Sequence, residues 1–217
     1  MGEIERRRLL VVEDEALMAS LLADALTATG FEVDVASNVI DAMESVRAFD
    51  PDAALLDISL GPGPSGIDLA NALHDRRPDI ALLFLTKHPD RRTAGLEGAT
   101  IPPGCGFLRK DMVKDTAYLL DAINTVLADH PDDVRHDLAA DRPLASLTTP
   151  QLEVLRMAAQ GLTNTAIAHH RGTSERAVEL LLHSVFVALD IDSRGDVNPR
   201  VEAIRRYIQA AGMPERP

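Results

Sequence analysis

At 217 residues, 46% of them apolar and 26% charged, the chain has the makeup of a globular protein long enough for one large domain or two small ones. It holds no run of about 18 apolar residues that could span a bilayer, its charged start leads into an apolar stretch too short for a secretory leader, and its single Cys105 excludes an internal disulfide. The net charge of −12 sits in residues 1–143, which hold 14 Lys and Arg against 26 Asp and Glu, while residues 144–217 hold 8 of each and lack the basic excess usual in a duplex-binding domain. The expectation is a cytoplasmic protein with no membrane partner.

The first 130 residues alternate strand-like and helix-like pieces. Leu9–Val12 is a short apolar run; Met18, Leu21, Leu22, Ala25 and Leu26 then recur at helical spacing up to Gly30. Phe31–Ala36 alternates as a half-buried strand, and Val39, Met43 and Val46 mark a second helix that ends before Asp50-Pro51. Next come a strand around Leu55, a Gly/Pro turn from Gly61 to Gly66, a helix over Ile67–Arg76, the apolar Ile80–Leu85, a fifth strand at Gly106–Arg109 and a helix over Asp115–Ala128. Strands and helices in this order predict an α/β fold with a doubly wound, five-stranded parallel sheet over 1–130. Residues 131–146, polar and broken by Pro131 and Pro143, predict a linker. A smaller all-α domain of four short helices is predicted for 147–213, with Thr149-Pro150, Thr163 and Ser174 at helix starts and the last helix over Pro199–Ala211.

Chemistry gathers where the strands end. A parallel sheet carries its functional residues at the carboxyl ends of its strands, and there this chain has Glu13, Asp14, Asp57, Thr86 and Lys110. Three carboxylates repel one another unless a cation joins them, and an all-oxygen set suits Mg²⁺. The set makes a site for phosphoryl transfer to a carboxylate: Glu13 and Asp14 hold Mg²⁺, Asp57 attacks phosphorus, and Lys110 and Thr86 bind phosphoryl oxygens. Polar residues also cap strand ends with no other role, a reading that weakens when five converge.

The text Leu10-Val11-Val12-Glu13-Asp14-Glu15, Leu55-Leu56-Asp57-Ile58-Ser59-Leu60, Phe84-Leu85-Thr86 and Gly106-Phe107-Leu108-Arg109-Lys110 resembles the receiver domain of two-component response regulators over residues 7–130. The resemblance implies a flavodoxin-like fold, Asp57 as phosphoacceptor for a histidine kinase, the Ser59 carbonyl as a further metal ligand, and Thr86 and Phe107 as residues that move inward on phosphorylation. For Phe107 plain core packing is the more common explanation of an inward aromatic on a strand. The chain departs from the family in three places: the loop over residues 61–66 is one residue longer, Lys87 stands where a small residue is usual, and the helix expected between His88 and Gly106 is short and interrupted by Gly95, Gly98 and Pro102-Pro103.

Leu147–Leu155, Gly161–Ala168 and Thr173–Val178 resemble a LuxR-type helix-turn-helix. That implies a recognition helix starting at Ser174, and a homodimer that controls transcription through DNA contacts from Arg171, Arg176, His183, Ser184, Arg205 and Arg206. Past Val178 the apolar core continues, but Leu180 and Val187 stand on the outer face where polar or basic residues are usual. The alternative is a module turned to protein–protein interaction or dimerisation through Leu180 and Val187, independent of phosphorylation. No spacing among His169, His170, His183 and Cys105 makes a zinc site, and turnover catalysis is not expected.

Overall fold

The computed structural model describes residues 6–96, 98–192 and 196–214; the first residues of the charged start lie outside that range. The chain divides into two compact units, one formed by Met1–Thr86 and Gly98–Asp137, the other by Lys87–Glu97 and Leu138–Pro217.

In the first unit the strands are β1 (Arg8–Val12), β2 (Glu32–Ala36), β3 (Ala53–Leu56), β4 (Ala81–Thr86) and β5 (Cys105–Arg109), and the helices are α1 (Ala16–Ala28), α2 (Val39–Phe49), α3 (Gly66–Arg76) and α4 (Thr116–Leu127). All four pairings are parallel, in the order β2-β1-β3-β4-β5. Strands covered on both faces read as unbroken apolar runs, and every residue of β3 is buried, whereas β2, at the edge, buries only Ala36 fully. Leu9, Val11, Leu55, Leu83 and Leu108 pack with Leu26, Leu119, Ile123 and Val126 in one core cluster, each such side chain contributing about 2 kcal/mol. The helices start where short polar side chains can take orphan N–H groups. Asn38 accepts from Ile40 and Asp41, Ser65 and Asp68 form a capping box, and Asp115 accepts from Tyr118.

Two stretches differ from the sequence expectation. Among the described residues no helix forms between β4 and β5; residues 87–96 and 98–104 are turns and coil, with Gly95 and Gly104 both at φ +77°, a conformation that breaks a helix. The expected linker is ordered from its start. Two 3₁₀ turns form at Pro131–Asp133 and His136–Leu138, the Phe107 N–H donates to the Val134 carbonyl, and Arg135 bridges Phe107 as a parallel partner. The physical reason is that β5 is an edge strand whose outer N–H groups need acceptors, and 134–136 supply them.

The second unit holds α5 (Thr149–Ala159), α6 (Asn164–Arg171), α7 (Glu175–Ala188) and α8 (Pro199–Ala211). The cap of α5 is Thr148, one residue before the expected Thr149, because Gln151 completes a capping box with it. Thr163 and Ser174 cap α6 and α7 as expected. Leu152, Leu155, Val185 and the fully buried Tyr207 form one cluster, and Val154, Ile167, Val178 and Leu182 a second. Leu144 and Leu147, inside or beside the expected linker, are buried in the first of these clusters.

Candidate functional site

The carboxyl ends of β1, β3, β4 and β5 form one edge of the sheet. β1 and β3 run parallel with Val12 beside Leu56, so Glu13 and Asp57, each one residue further on, emerge together. Glu13 is 2% exposed and Asp57 5%, while Asp14 is exposed at the rim. One carboxylate oxygen from each of the three lies within 4.8 Å of the others. Lys110, next after β5, reaches across with Nζ 2.6 Å from Glu13 Oε2 and 2.8 Å from Asp57 Oδ2. Thr86 is fully buried at the end of β4. Phe107 is also fully buried, its ring centroid 6.0 Å from that of Phe84.

The electrostatics follow from burial against pairing. Burial pushes the Glu13 carboxyl above its ordinary value, against the hydrogen bond and charge of Lys110, with Asp57 adding repulsion. Burial works against the Lys110 ammonium, but Asp57 and Glu13 outweigh it and hold its pKa above the ordinary value. The Lys110 ammonium serves the two buried carboxylates, and the exposed Asp14 stands beside them at the rim. Glu13 Oε1 is buried with no hydrogen-bond partner, a costly state for a carboxylate oxygen unless another positive group arrives. These donors fit a hard divalent cation: all oxygen, mutually close, one oxygen unclaimed. Ser59, expected to offer its carbonyl, donates its N–H to Asp57 Oδ1 at 3.3 Å.

Gly66, the last residue of the Gly/Pro turn, keeps this cup of carboxylates tight. A Cβ there would lie 1.8 Å from the Asp57 carbonyl oxygen, because α3 starts directly against the end of β3 and the Gly66 N–H donates to the Ile58 carbonyl. The signal was a glycine directly after the Ser65 cap, at a position where most residues serve equally well.

In the helical unit the expected DNA-contacting residues do not form one cationic surface. Arg171 pairs with Glu153 on α5. Arg205 and Arg206 both pair with Glu202, at 2.8 and 2.9 Å, and Arg206 also donates to the Leu189 carbonyl. Ser184 accepts from Gln151 at 2.9 Å and donates to the Leu181 carbonyl at 2.7 Å, so its donor and an acceptor site are engaged within the module. Arg176 is 75% exposed, paired to Glu179 at 3.1 Å, and His183 is exposed one turn beyond Glu179. Leu180 and Val187 project outward, 56% and 68% exposed. Beside them Leu180, His183, Phe186 and Arg176 help line a shallow groove of about 480 Å³. The sequence reading missed Arg200 at one end of that groove. Its guanidinium donates to Asn164 Oδ1 at 2.6 Å and to the Leu162 carbonyl at 2.7 Å, and burial lowers its pKa.

No helix among the described residues is long and apolar enough to cross a membrane. Residues 9–124 match the family model of the response regulator receiver domain, and residues 145–198 match that of the bacterial regulatory proteins of the luxR family. The DNA-binding transcriptional activator DevR/DosR of Mycobacterium tuberculosis is 31% identical over 199 residues, 86% of this chain and 90% of that one. Among solved structures, the response regulator RcsB in its DNA complex superposes with a TM-score of 0.52 over 95% of this chain and 99% of that one, at 17% identity. A CheY-like receiver domain protein from Methanospirillum hungatei does so with a TM-score of 0.50 over 59% of this chain and 99% of that one, at 20% identity. These two likenesses speak for the fold alone.

Proposed function

Since the chain belongs to the response regulators, a receiver domain joined to a LuxR-family helix-turn-helix domain, and is a transcriptional regulator and not an enzyme, we propose that Asp57 is its phosphoacceptor and that phosphorylation controls DNA binding by the helical module. The observation that carries this is the meeting of Glu13, Asp14 and Asp57 with Lys110 at the strand ends.

An oxygen of the Asp57 carboxylate attacks the phosphorus of a phosphohistidine on a histidine kinase. The O–P bond forms as the P–N bond breaks, and the electron pair of that bond returns to the imidazole. Lys110, already bonded to Asp57, turns its Nζ to a phosphoryl oxygen, and the Thr86 hydroxyl takes another as it closes on the new group. Phe107 sits on the same strand as Lys110's neighbour Arg109, and its buried ring is the packing element that adjusts with Thr86. Glu13, Asp14, Asp57 and the Ser59 carbonyl would hold Mg²⁺, which would supply positive charge against the negative charge building between carboxylate and phosphoryl group. The acyl phosphate adds negative charge to an already acidic edge, and that change biases a two-state equilibrium in the receiver.

In the helical module α7 is the recognition helix, with Arg176 and His183 at the bases and phosphates, and the regulator acts as a cytoplasmic homodimer. Arg171, Arg205 and Arg206 must leave their acidic partners to reach phosphate, and Ser184 must leave Gln151. A second reading rests on that same pairing and on the exposure of Leu180 and Val187: the outer face of α7 binds a protein. Treatment with acetyl phosphate and Mg²⁺ followed by duplex selection separates the two. The DNA reading expects an adduct, absent in Asp57→Asn, and sequence-preferring binding that weakens with salt. Adduct without any duplex preference, together with self-association lost in Leu180→Lys, supports the protein reading instead.

A further inference from the structure

The segment 87–97 follows β4 in the chain but belongs to the helical unit, and polar bonds pin it there. Asp90, 6% exposed, accepts from the Thr93 N–H at 3.1 Å, from Arg92 at 2.8 Å and from Arg142 at 3.2 Å. Arg92 also donates to the Leu147 carbonyl at 2.8 Å. The hydroxyl of Tyr207, a residue 1% exposed in the core beside α8's packing face, donates to the Thr93 carbonyl at 3.0 Å. Gly95 lies so close to α5 that a Cβ on it would stand 2.6 Å from the Arg156 guanidinium, and a Cβ on Gly212, where α8 ends, would touch the Lys87 side chain at 3.5 Å.

Surface loops normally give their polar groups to water. Here a buried carboxylate and a buried hydroxyl bond the segment to α8 and the 138–147 stretch, and Gly95, at φ +77°, lies against the Arg156 side chain of α5. Thr86, the last residue of β4, is bonded directly to the first residue of the segment. We propose that residues 87–96 are a strap that carries the state of the phosphoacceptor site into the output module: movement of Thr86 passes along the main chain to Asp90 and Thr93, and from Thr93 to Tyr207 on α8. The strap stands where, among the described residues, no helix lies between β4 and β5, and its pins are Asp90 with Arg142 and Thr93 with Tyr207. Coupling of this kind needs an element with two arrangements that both ends bias, and the strap is short, internally bonded and joined to both ends. The inference rests on the reading of Asp57 as phosphoacceptor.

Hydrogen exchange of the full chain, read by peptide before and after acetyl phosphate with Mg²⁺, tests it, with the adduct measured by intact mass in the same samples. In the wild type, adduct formation changes exchange in 87–96 and in 199–211 together. In Tyr207→Phe the adduct forms and 87–96 responds, while the response of 199–211 falls about fivefold, the effect of one lost hydrogen bond. Gly95→Ala, which leaves Tyr207 in place, gives the same uncoupling and serves if Tyr207→Phe does not fold by circular dichroism. An unchanged response of 199–211 in the folded variant, or no response of 87–96 in the wild type, overturns the strap alone. Absence of any adduct overturns the phosphoacceptor reading and the strap with it.

Discussion

The two units treat charge in opposite ways. At the strand ends of the first, three carboxylates cluster, two of them share the Lys110 ammonium, and a buried oxygen of Glu13 has no hydrogen-bond partner. In the second, Arg171, Arg205 and Arg206 each have a carboxylate partner, and Arg200 is tied to an amide and a carbonyl. An under-neutralised cluster stores repulsion that a cation or a covalent change can release, which is the property of a switch. A paired surface stores nothing of the kind and binds polyanions weakly until its pairs open. On the proposed function, the input chemistry is preformed and the output chemistry has to be exposed.

Lys110→Met should sharpen that contrast most. Without its ammonium, Glu13 and Asp57 face each other unscreened, and urea unfolding without divalent ions is expected to show a loss of about 4 kcal/mol, partly regained in Mg²⁺. Equal loss with and without Mg²⁺ would mean that the carboxylates form no cation site. Gly66→Ala comes next, since its new methyl group has to displace the Asp57 main chain; about 3 kcal/mol and most of the phosphoryl acceptance should go together. Wild-type acceptance in that variant would show that the tight junction of β3 and α3 does not position Asp57.

Asp90→Asn probes a paired group in the helical unit. Burial alone would raise the Asp90 carboxyl, but Arg92 and Arg142, with the Thr93 N–H, hold it below its ordinary 3.8. A depressed carboxyl stabilises the fold above its unfolded pKa, and that contribution drains away as pH falls through the folded one. The variant is therefore expected to unfold about 2 kcal/mol more easily at pH 7, with the gap to wild type closing below pH 3.8 in thermal melts. A gap that widens on acidification would contradict the sign. Glu202→Gln has the smallest effect on stability but bears directly on the paired surface. Freeing Arg205 and Arg206 should steepen the salt dependence of duplex binding by about two units in the log–log slope. No change in slope means that α8 does not approach phosphate.

The cup was readable from sequence because three of its members follow directly on an apolar run, Val11-Val12 before Glu13, Leu55-Leu56 before Asp57 and Leu85 before Thr86, and Asp14 and Lys110 stand one residue further from theirs. Strand ends in a parallel sheet share one edge, so local text was enough. The helices of the second unit were equally readable from their caps and stripes. The strap was not, because a run holding Lys87, Asp90, Arg91 and Arg92 reads as solvated surface, and nothing local says that Asp90 meets Arg142 fifty-two residues on. For the same reason the stretch around Pro131 and Pro143 suggested a free linker, although Val134 and Leu144 are buried. Arg205 and Arg206 lie three and four residues beyond Glu202, a spacing that does foretell pairing, whereas Arg171 meets Glu153 across two helices.

The most direct test of the cup is peptide-resolved mass spectrometry of the full chain after acetyl phosphate, once in Mg²⁺ and once in EDTA. A single acid-stable, base-labile adduct on the peptide that contains Asp57, formed in Mg²⁺ and missing in EDTA, is the predicted result. An adduct on another peptide, or the same yield at Asp57 in both solutions, would contradict a phosphoacceptor built on a divalent cation held by Glu13, Asp14 and Asp57.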